Sequence, residues 1–208
     1  MTRDEIIAYA HAAWGWCAGT VGGWPTYTLD ELTHLTDAAM SVSRPEGMMV
    51  EVGTFSGKSL SVLLGVARNT GSWVVAADVM GWDPHLSEPH LRKVLADFSD
   101  VRWRFYPTDS VTAHRFMTEG PDTILKGEGM IDFLHIDGEH SRDAVALDCA
   151  LFLPYMRSGG LVAFHDANPN PQAPAGVDVC AGIEIATSGW ETVWRSLENN
   201  CLMIRRKP

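Results

Sequence analysis

A chain of 208 residues that is 46% hydrophobic and carries a net charge of -10 has material for one full-sized core. Its charge has the wrong sign for nucleic acid or an anionic membrane surface. The four cysteines, Cys17, Cys149, Cys180 and Cys201, form no CxxC pair, which excludes a zinc knuckle or a redox dithiol and suits a reducing cytoplasm. No apolar run is long enough to span a bilayer, and Arg3, Asp4 and Glu5 near the start argue against a secretory signal.

Taken in chain order, the first strong signal is a helix start. Thr28 followed by Glu31 matches a capping box, and Leu32, Leu35, Ala39 and Val42 then make one apolar face. Before it, Gly22-Gly23-Trp24-Pro25 reads as a loop with an exposed aromatic. Strand-like and helix-like segments alternate from there, with strands starting near 48, 73, 101, 131 and 160. That βαβα rhythm predicts an α/β fold: a Rossmann-like, doubly wound, mostly parallel sheet covered on both faces.

After the first strand, Leu60, Leu63, Leu64 and Ala67 line one helix face, and Asn69-Thr70-Gly71 ends it. Trp82 and His85 fall in a predicted loop at 81–89; with Trp24 and Tyr27 they are the aromatics near the sheet rim. After Gly138, the spacing of Ala144, Leu147, Leu151 and Tyr155 predicts a helix stopped by Ser158-Gly159-Gly160, with Cys149 as a buried small hydrophobe. The Pro-rich stretch 168–174 reads as a lid over a site. Segments 191–196 and 201–205 read as two antiparallel strands joined by Glu198-Asn199-Asn200, bringing the sheet to about seven strands. The basic cluster Arg205-Arg206-Lys207 reads as a solvated tail. Residues 1–45 are expected to form a helical cap on a core of 46–208, together one domain of 1–208.

Five apolar runs end in a carboxylate: Glu51, Asp78, Asp109, Asp137 and Asp166. On parallel strands these acids share the edge where open α/β sheets bind ligands. So many carboxylates at one rim call for a cationic ligand, a metal, or both. The turn after Glu51, Gly53-Thr54-Phe55-Ser56-Gly57-Lys58-Ser59, is one residue too short for a P-loop and lacks GxGxxG. Its backbone can still approach a ligand closely. An acid before the turn favours positive charge, and Asp78 at the end of the next strand suits a ribose diol. S-adenosylmethionine meets both requirements, although the turn and Asp78 by themselves mark a nucleoside ligand and do not separate it from NAD; Lys58 is expected to face solvent.

The runs VEVGTFSGKS, AAD, Thr108-Asp109-Ser110, FLHIDGEHS and SGGLVAFHD together resemble class I adenosylmethionine-dependent methyltransferases. The resemblance is above all to the methyltransferase 24 group, with macrocin-type and catechol-type O-methyltransferases as cousins. It implies a Rossmann-like enzyme that takes S-adenosyl-L-methionine as cofactor. Glu51, Gly53, Thr54, Phe55, Gly57 and Ser59 would hold the methionine end, Asp78 the ribose, and Asp109 and Ser110 the adenine. Asp137 would belong to both the cofactor set and the chemistry. Asp109 also suits a helix N-cap.

The cousins use a divalent-metal site, so the resemblance implies Asp137 and Asp166 as ligands for Mg²⁺. Where the cousins have an acid or amide after the second Asp, this chain has Ala167, leaving Asn168 or His140 as third ligand. Asp137, His140 and Asp166 are the catalytic candidates. His140, on a rim loop, could accept a proton from the methyl acceptor or could cap the next helix. A zinc site from His135, Asp137, His140 and His165 is a rival, but His135 and His165 lie in apolar strands and read as hydrogen-bonded site walls.

The expected activity is O-methylation of a small-molecule hydroxyl, on a sugar or secondary metabolite, in the cytoplasm. The expected partners are that acceptor and a second copy of the chain, with no nucleic acid and no membrane. The alternatives are a metal-independent methyltransferase with His140 as base, a non-catalytic nucleoside-binding or accessory protein, and a dehydrogenase, which the missing GxGxxG opposes.

Overall fold

In the computed structural model, residues 1–15, 27–81, 84–119, 123–170, 172, 174–196 and 201–208 are described. Five parallel strands carry the chain's most apolar runs: β1 (Met48–Val52), β2 (Trp73–Ala77), β3 (Trp103–Tyr106), β4 (Ile131–Ile136) and β5 (Met156–Phe164). β6 (Glu191–Arg195) and β7 (Met203–Arg206) complete the sheet as antiparallel strands. The order is β3-β2-β1-β4-β5-β7-β6. Every residue of β1 and β4 is buried, as continuous apolar runs covered on both faces should be.

Seven helices supply the cover: α1 (Arg3–Gly15), α2 (Leu29–Val42), α3 (Lys58–Thr70), α4 (Pro84–Asp97), α5 (Ser110–Glu119), α6 (Arg142–Phe152) and α7 (Pro174–Thr187). One apolar cluster joins α1 to α4 on one face, through Ile6, Leu32, Leu63 and Val94. The other joins α5 to α7 on the opposite face, through Met117, Cys149 and Ile183. The capping box forms as expected, with Thr28 accepting from the Glu31 amide at 3.1 Å and Glu31 accepting from the Thr28 amide at 2.8 Å. Gly71 ends α3 with φ +74°, a conformation that suits glycine.

Leu60, Leu63, Leu64 and Ala67 of α3 are buried as expected, and α1 and α2 pack over the helix so that the rest of residues 58–67 is buried too. Three expectations are corrected. α6 buries Val145, Asp148, Cys149 and Phe152, while Leu147 is exposed. A buried carboxylate on the inward stripe hides the true phase from an apolar count. α4 begins at Pro84, so the expected 81–89 loop is mostly helix, with Pro89 inside it. β5 begins at Met156, runs through Ser158-Gly159-Gly160, and shifts register against β4 between Ile131 and Phe133.

The basic tail is not a solvated one. β7 lies between β5 and β6, which places Arg205 inside the fold. Its guanidinium donates to the Thr187 carbonyl at 2.8 Å and pairs with Glu184. Lys207 donates to the Met156 carbonyl at 2.6 Å. The Glu198-Asn199-Asn200 turn, Cys17, Trp24 and Trp82 lie outside the described residues. Among the described residues, no helix is long and apolar enough to cross a membrane.

Candidate active site

The sheet order sets the rim order of the five acids as Asp109, Asp78, Glu51, Asp137, Asp166. Glu51, on the central strand, is fully buried. The glycine turn follows it. Gly53 sits at φ +83°, and a Cβ there would come within 2.0 Å of the Asp137 carbonyl oxygen, so only glycine fits. Thr54 and Phe55 each donate a backbone N–H to Asp78 Oδ2 at 2.7 Å, and Met80 N–H donates to Oδ1 at 2.6 Å. Asp78 therefore braces the turn from the end of β2.

Gly57, at φ +87°, starts α3, and Ser59 in its first turn is buried. Lys58 does not face solvent: it is buried, and its ammonium donates to the Tyr27 carbonyl at 3.0 Å. Asp109 is exposed and accepts from the Thr112 backbone N–H at 2.8 Å and its hydroxyl at 2.9 Å. These bonds hold its carboxyl below the usual range and make it the cap of α5.

Ser110 is hydrogen-bonded to Asp148 of α6, whose pKa burial pushes up to about 6, with Ser110 pulling the other way. Folded protein then binds more protons than unfolded chain between about pH 4 and 6, so stability falls as pH rises through that window. The charged form costs about 3 kcal/mol above it. Asp148→Asn, which keeps a polar partner for Ser110, is expected to raise the melting temperature at pH 8 by roughly 5–10 °C. That advantage should disappear near pH 4, as thermal melts at the two pH values would read.

Beyond Glu51 a chain of contacts runs from buried groups to part-buried ones at the rim. Glu51 Oε1 meets His135 Nδ1 at 3.0 Å, and His135 Nε2 meets the Tyr27 hydroxyl at 2.9 Å. That hydroxyl also donates to Asp137 Oδ2 at 3.0 Å. Asp137 Oδ1 lies 3.2 Å from His165 Nδ1, which lies 2.9 Å from Asp166 Oδ2. Asp166, at φ +54°, is in turn 3.3 Å from His140 Nε2. Burial works against a charge on His165, but Asp137 and Asp166 outweigh it and raise the imidazole pKa to about 10. Burial likewise opposes ionisation of Asp137, and the facing His165 holds its carboxyl below the usual range. His165 is thus an internal cation between two acids.

Three buried polar atoms at this rim have no hydrogen-bond partner among the described residues: Glu51 Oε2, Thr54 Oγ1 and His165 Nε2. Such atoms are costly unless something else satisfies them. Ligand atoms of Asp137, His140 and Asp166 all lie within 4.8 Å of one another. Asn168 Oδ1 accepts from the Asn170 N–H at 2.9 Å. The Gln172 N–H bonds Asn170 Oδ1 at 3.0 Å, so the segment entering α7 is tied into side-chain turns.

Sequence reasoning missed two participants. Tyr27 was only one of several rim aromatics, and Asp148 carried no signal. Nothing local marks either, because their partners are far away in the chain.

The model of the methyltransferase 24 family, described as a methyltransferase domain, matches residues 50–167. The chain belongs to that family. It carries a methyltransferase domain. An uncharacterised protein, R132, of Acanthamoeba polyphaga mimivirus is 26% identical over 140 residues, which are 64% of this methyltransferase and 57% of the viral protein. The chain thus spans little more than half of that relative's length.

Solved structures share the fold. Cofactor-bound Rv0187 from MTB superposes with a TM-score of 0.66 at 14% identity, over 97% of this chain and 89% of that one. SAH-bound methyltransferase PaMTH1 of Podospora anserina gives 0.64 at 16% identity, over 99% and 95%. An O-methyltransferase from Bacillus cereus in complex with SAH gives 0.62 at 12% identity, over 100% and 93%.

Proposed function

We propose that this methyltransferase binds S-adenosylmethionine over the 53–57 turn and methylates a hydroxyl of a small molecule, with Asp137, His140 and Asp166 on the acceptor side. The observation that carries this reading is the buried Glu51 oxygen without a partner beside a turn whose glycine has no room for a side chain. A cationic group answers that oxygen, and the amino end of adenosylmethionine is one. Asp78, with three of its roughly four acceptor sites taken by backbone amides, keeps one for a ribose hydroxyl, while Asp109 and Ser110 stand at the adenine end. The cofactor, when bound, supplies a methyl group on a sulfonium, a good leaving group. The protein's own part is to hold the acceptor in line and dispose of its proton.

Two carboxylates and an imidazole within 4.8 Å make a mixed oxygen and nitrogen set for a divalent cation, in which the imidazole favours a transition ion over Mg²⁺. Asp137, His140 and Asp166 would hold it, with His140 replacing Asn168 as third donor. An ion held there makes a hydroxyl more acidic and fixes its position. His165 reduces repulsion between the two acids, and Tyr27 and His135 hold Asp137 from behind.

A second reading is favoured by the His165 cation already lodged between Asp137 and Asp166. In it no metal takes part. Asp166 orients His140, and the imidazole takes the hydroxyl proton as the new C–O bond forms and the C–S bond breaks.

Transfer of labelled methyl from S-adenosylmethionine to a panel of sugars and phenols, with and without chelator, tests these readings. Product methylated on oxygen is expected, with turnover lost to chelator and restored by a divalent cation. Chelator-insensitive turnover that disappears in His140→Ala establishes the second reading. Methylation on nitrogen contradicts both.

A further inference from the structure

The contacts at the rim fall into two groups. Glu51 and His135 form one, on the side assigned to the cofactor's amino end. Asp137, His165, Asp166 and His140 form the other, on the acceptor side. One residue joins them, and it comes from outside the sheet. Tyr27 immediately precedes the Thr28 cap of α2 and is buried.

Its single hydroxyl stands 2.9 Å from His135 Nε2 and 3.0 Å from Asp137 Oδ2. The phenol has one proton to give, and with that proton on Asp137, His135 must present an N–H to the phenol oxygen. The ring stacks on His165 with centroids 4.0 Å apart and planes 27° apart. Behind it, the Tyr27 carbonyl takes the Lys58 ammonium at 3.0 Å, tying the residue to the first turn of α3. Three separate features of one side chain therefore converge on the two groups while its backbone is tied to α3, and the ring is fixed by packing and stacking rather than by the hydroxyl alone.

We propose that Tyr27 is a positioning residue for methyl transfer: its hydroxyl sets the orientation of Asp137 and His135, so that the segment ahead of α2 completes the active site. The proposal rests on the assignment of this rim as the SAM and acceptor site. It extends that assignment to a residue outside the region that the family match covers, 50–167. A misoriented Asp137 would misplace whatever it holds, and small displacements of reacting groups cost large factors in rate.

Tyr27→Phe is the informative variant, because it keeps the ring, the stack on His165 and the backbone carbonyl for Lys58. Two readouts are made on the full chain with SAH bound and during turnover. Imidazole ¹⁵N signals of His135 are expected to shift, since Nε2 loses its partner. With a hydroxyl acceptor, kcat is expected to fall about 10- to 100-fold while the KM for SAM changes less than about threefold. Tyr27→Leu, which also removes the stack, should lower kcat at least as far and shift the His165 signals too.

An unchanged kcat in Tyr27→Phe, or unmoved His135 signals, overturns the proposal. A fall in melting temperature alone would do so as well, since it would make Tyr27 merely structural. Failure of SAH to bind the unmutated chain would instead sink the site assignment itself, so the two failures are told apart by the control titration.

Discussion

Gly53→Ala is expected to abolish SAH binding and to cost about 2–4 kcal/mol of stability, as strain and overpacking combine. The backbone at Gly53 has φ +83°, and the added methyl would lie 2.0 Å from the Asp137 carbonyl oxygen, 2.3 Å from its carbon and 2.6 Å from the Gly138 nitrogen. All three are backbone atoms, so no side-chain rotation relieves the clash. β1 and β4 must separate at their carboxyl ends, where the Asp137 N–H bonds the Val52 carbonyl at 2.8 Å. The Thr54 and Phe55 amides would then leave Asp78. A thermal melt and an SAH titration check this; a variant that melts and binds like the parent would contradict the close approach of turn and strand.

Glu51→Gln is expected to weaken SAH binding about 100-fold, the size of one buried charge-assisted hydrogen bond. Gln keeps the shape, and its amide oxygen can still face His135 Nδ1, now 3.0 Å from Glu51 Oε1. The second oxygen, buried and without a partner among the described residues, becomes an amide nitrogen that offers donors where a cationic ligand needs an acceptor. Calorimetry of the two proteins with SAH reads the difference. Equal affinities would mean that the ligand's amino group is held elsewhere.

The parts of the fold legible in sequence were those written in local pattern. The apolar run before each acid, the Thr28–Glu31 cap and the Gly71 stop each depend on residues a few positions apart. Parallel pairing of the first five strands then carried the acids to one rim without further information. What was not legible came from tertiary partners. Lys58 looked like a solvent residue because nothing near it in sequence says that the Tyr27 carbonyl will receive it. Asp148 broke the apolar period of α6 because its partner, Ser110, begins another helix. Arg205 to Lys207 looked like a tail because the insertion of β7 between β5 and β6 is a property of the sheet, not of those residues.

The same distinction applies within the active site. The carboxylates and glycines stood out as motifs. The contacts that orient them run through Tyr27, more than a hundred positions from His135 and Asp137. His165 was readable as a wall residue, but its charge depends on Asp137 and Asp166 meeting one ring nitrogen.

The most direct test is a crystal structure of the protein with SAH bound. The expected result is the ligand's amino group against Glu51 Oε2, its backbone-facing edge over the 53–57 turn, and a ribose hydroxyl on Asp78. Ligand density away from that turn, or a pose that leaves the Glu51 oxygen buried and still without a partner, would contradict the assignment of this rim as the cofactor site.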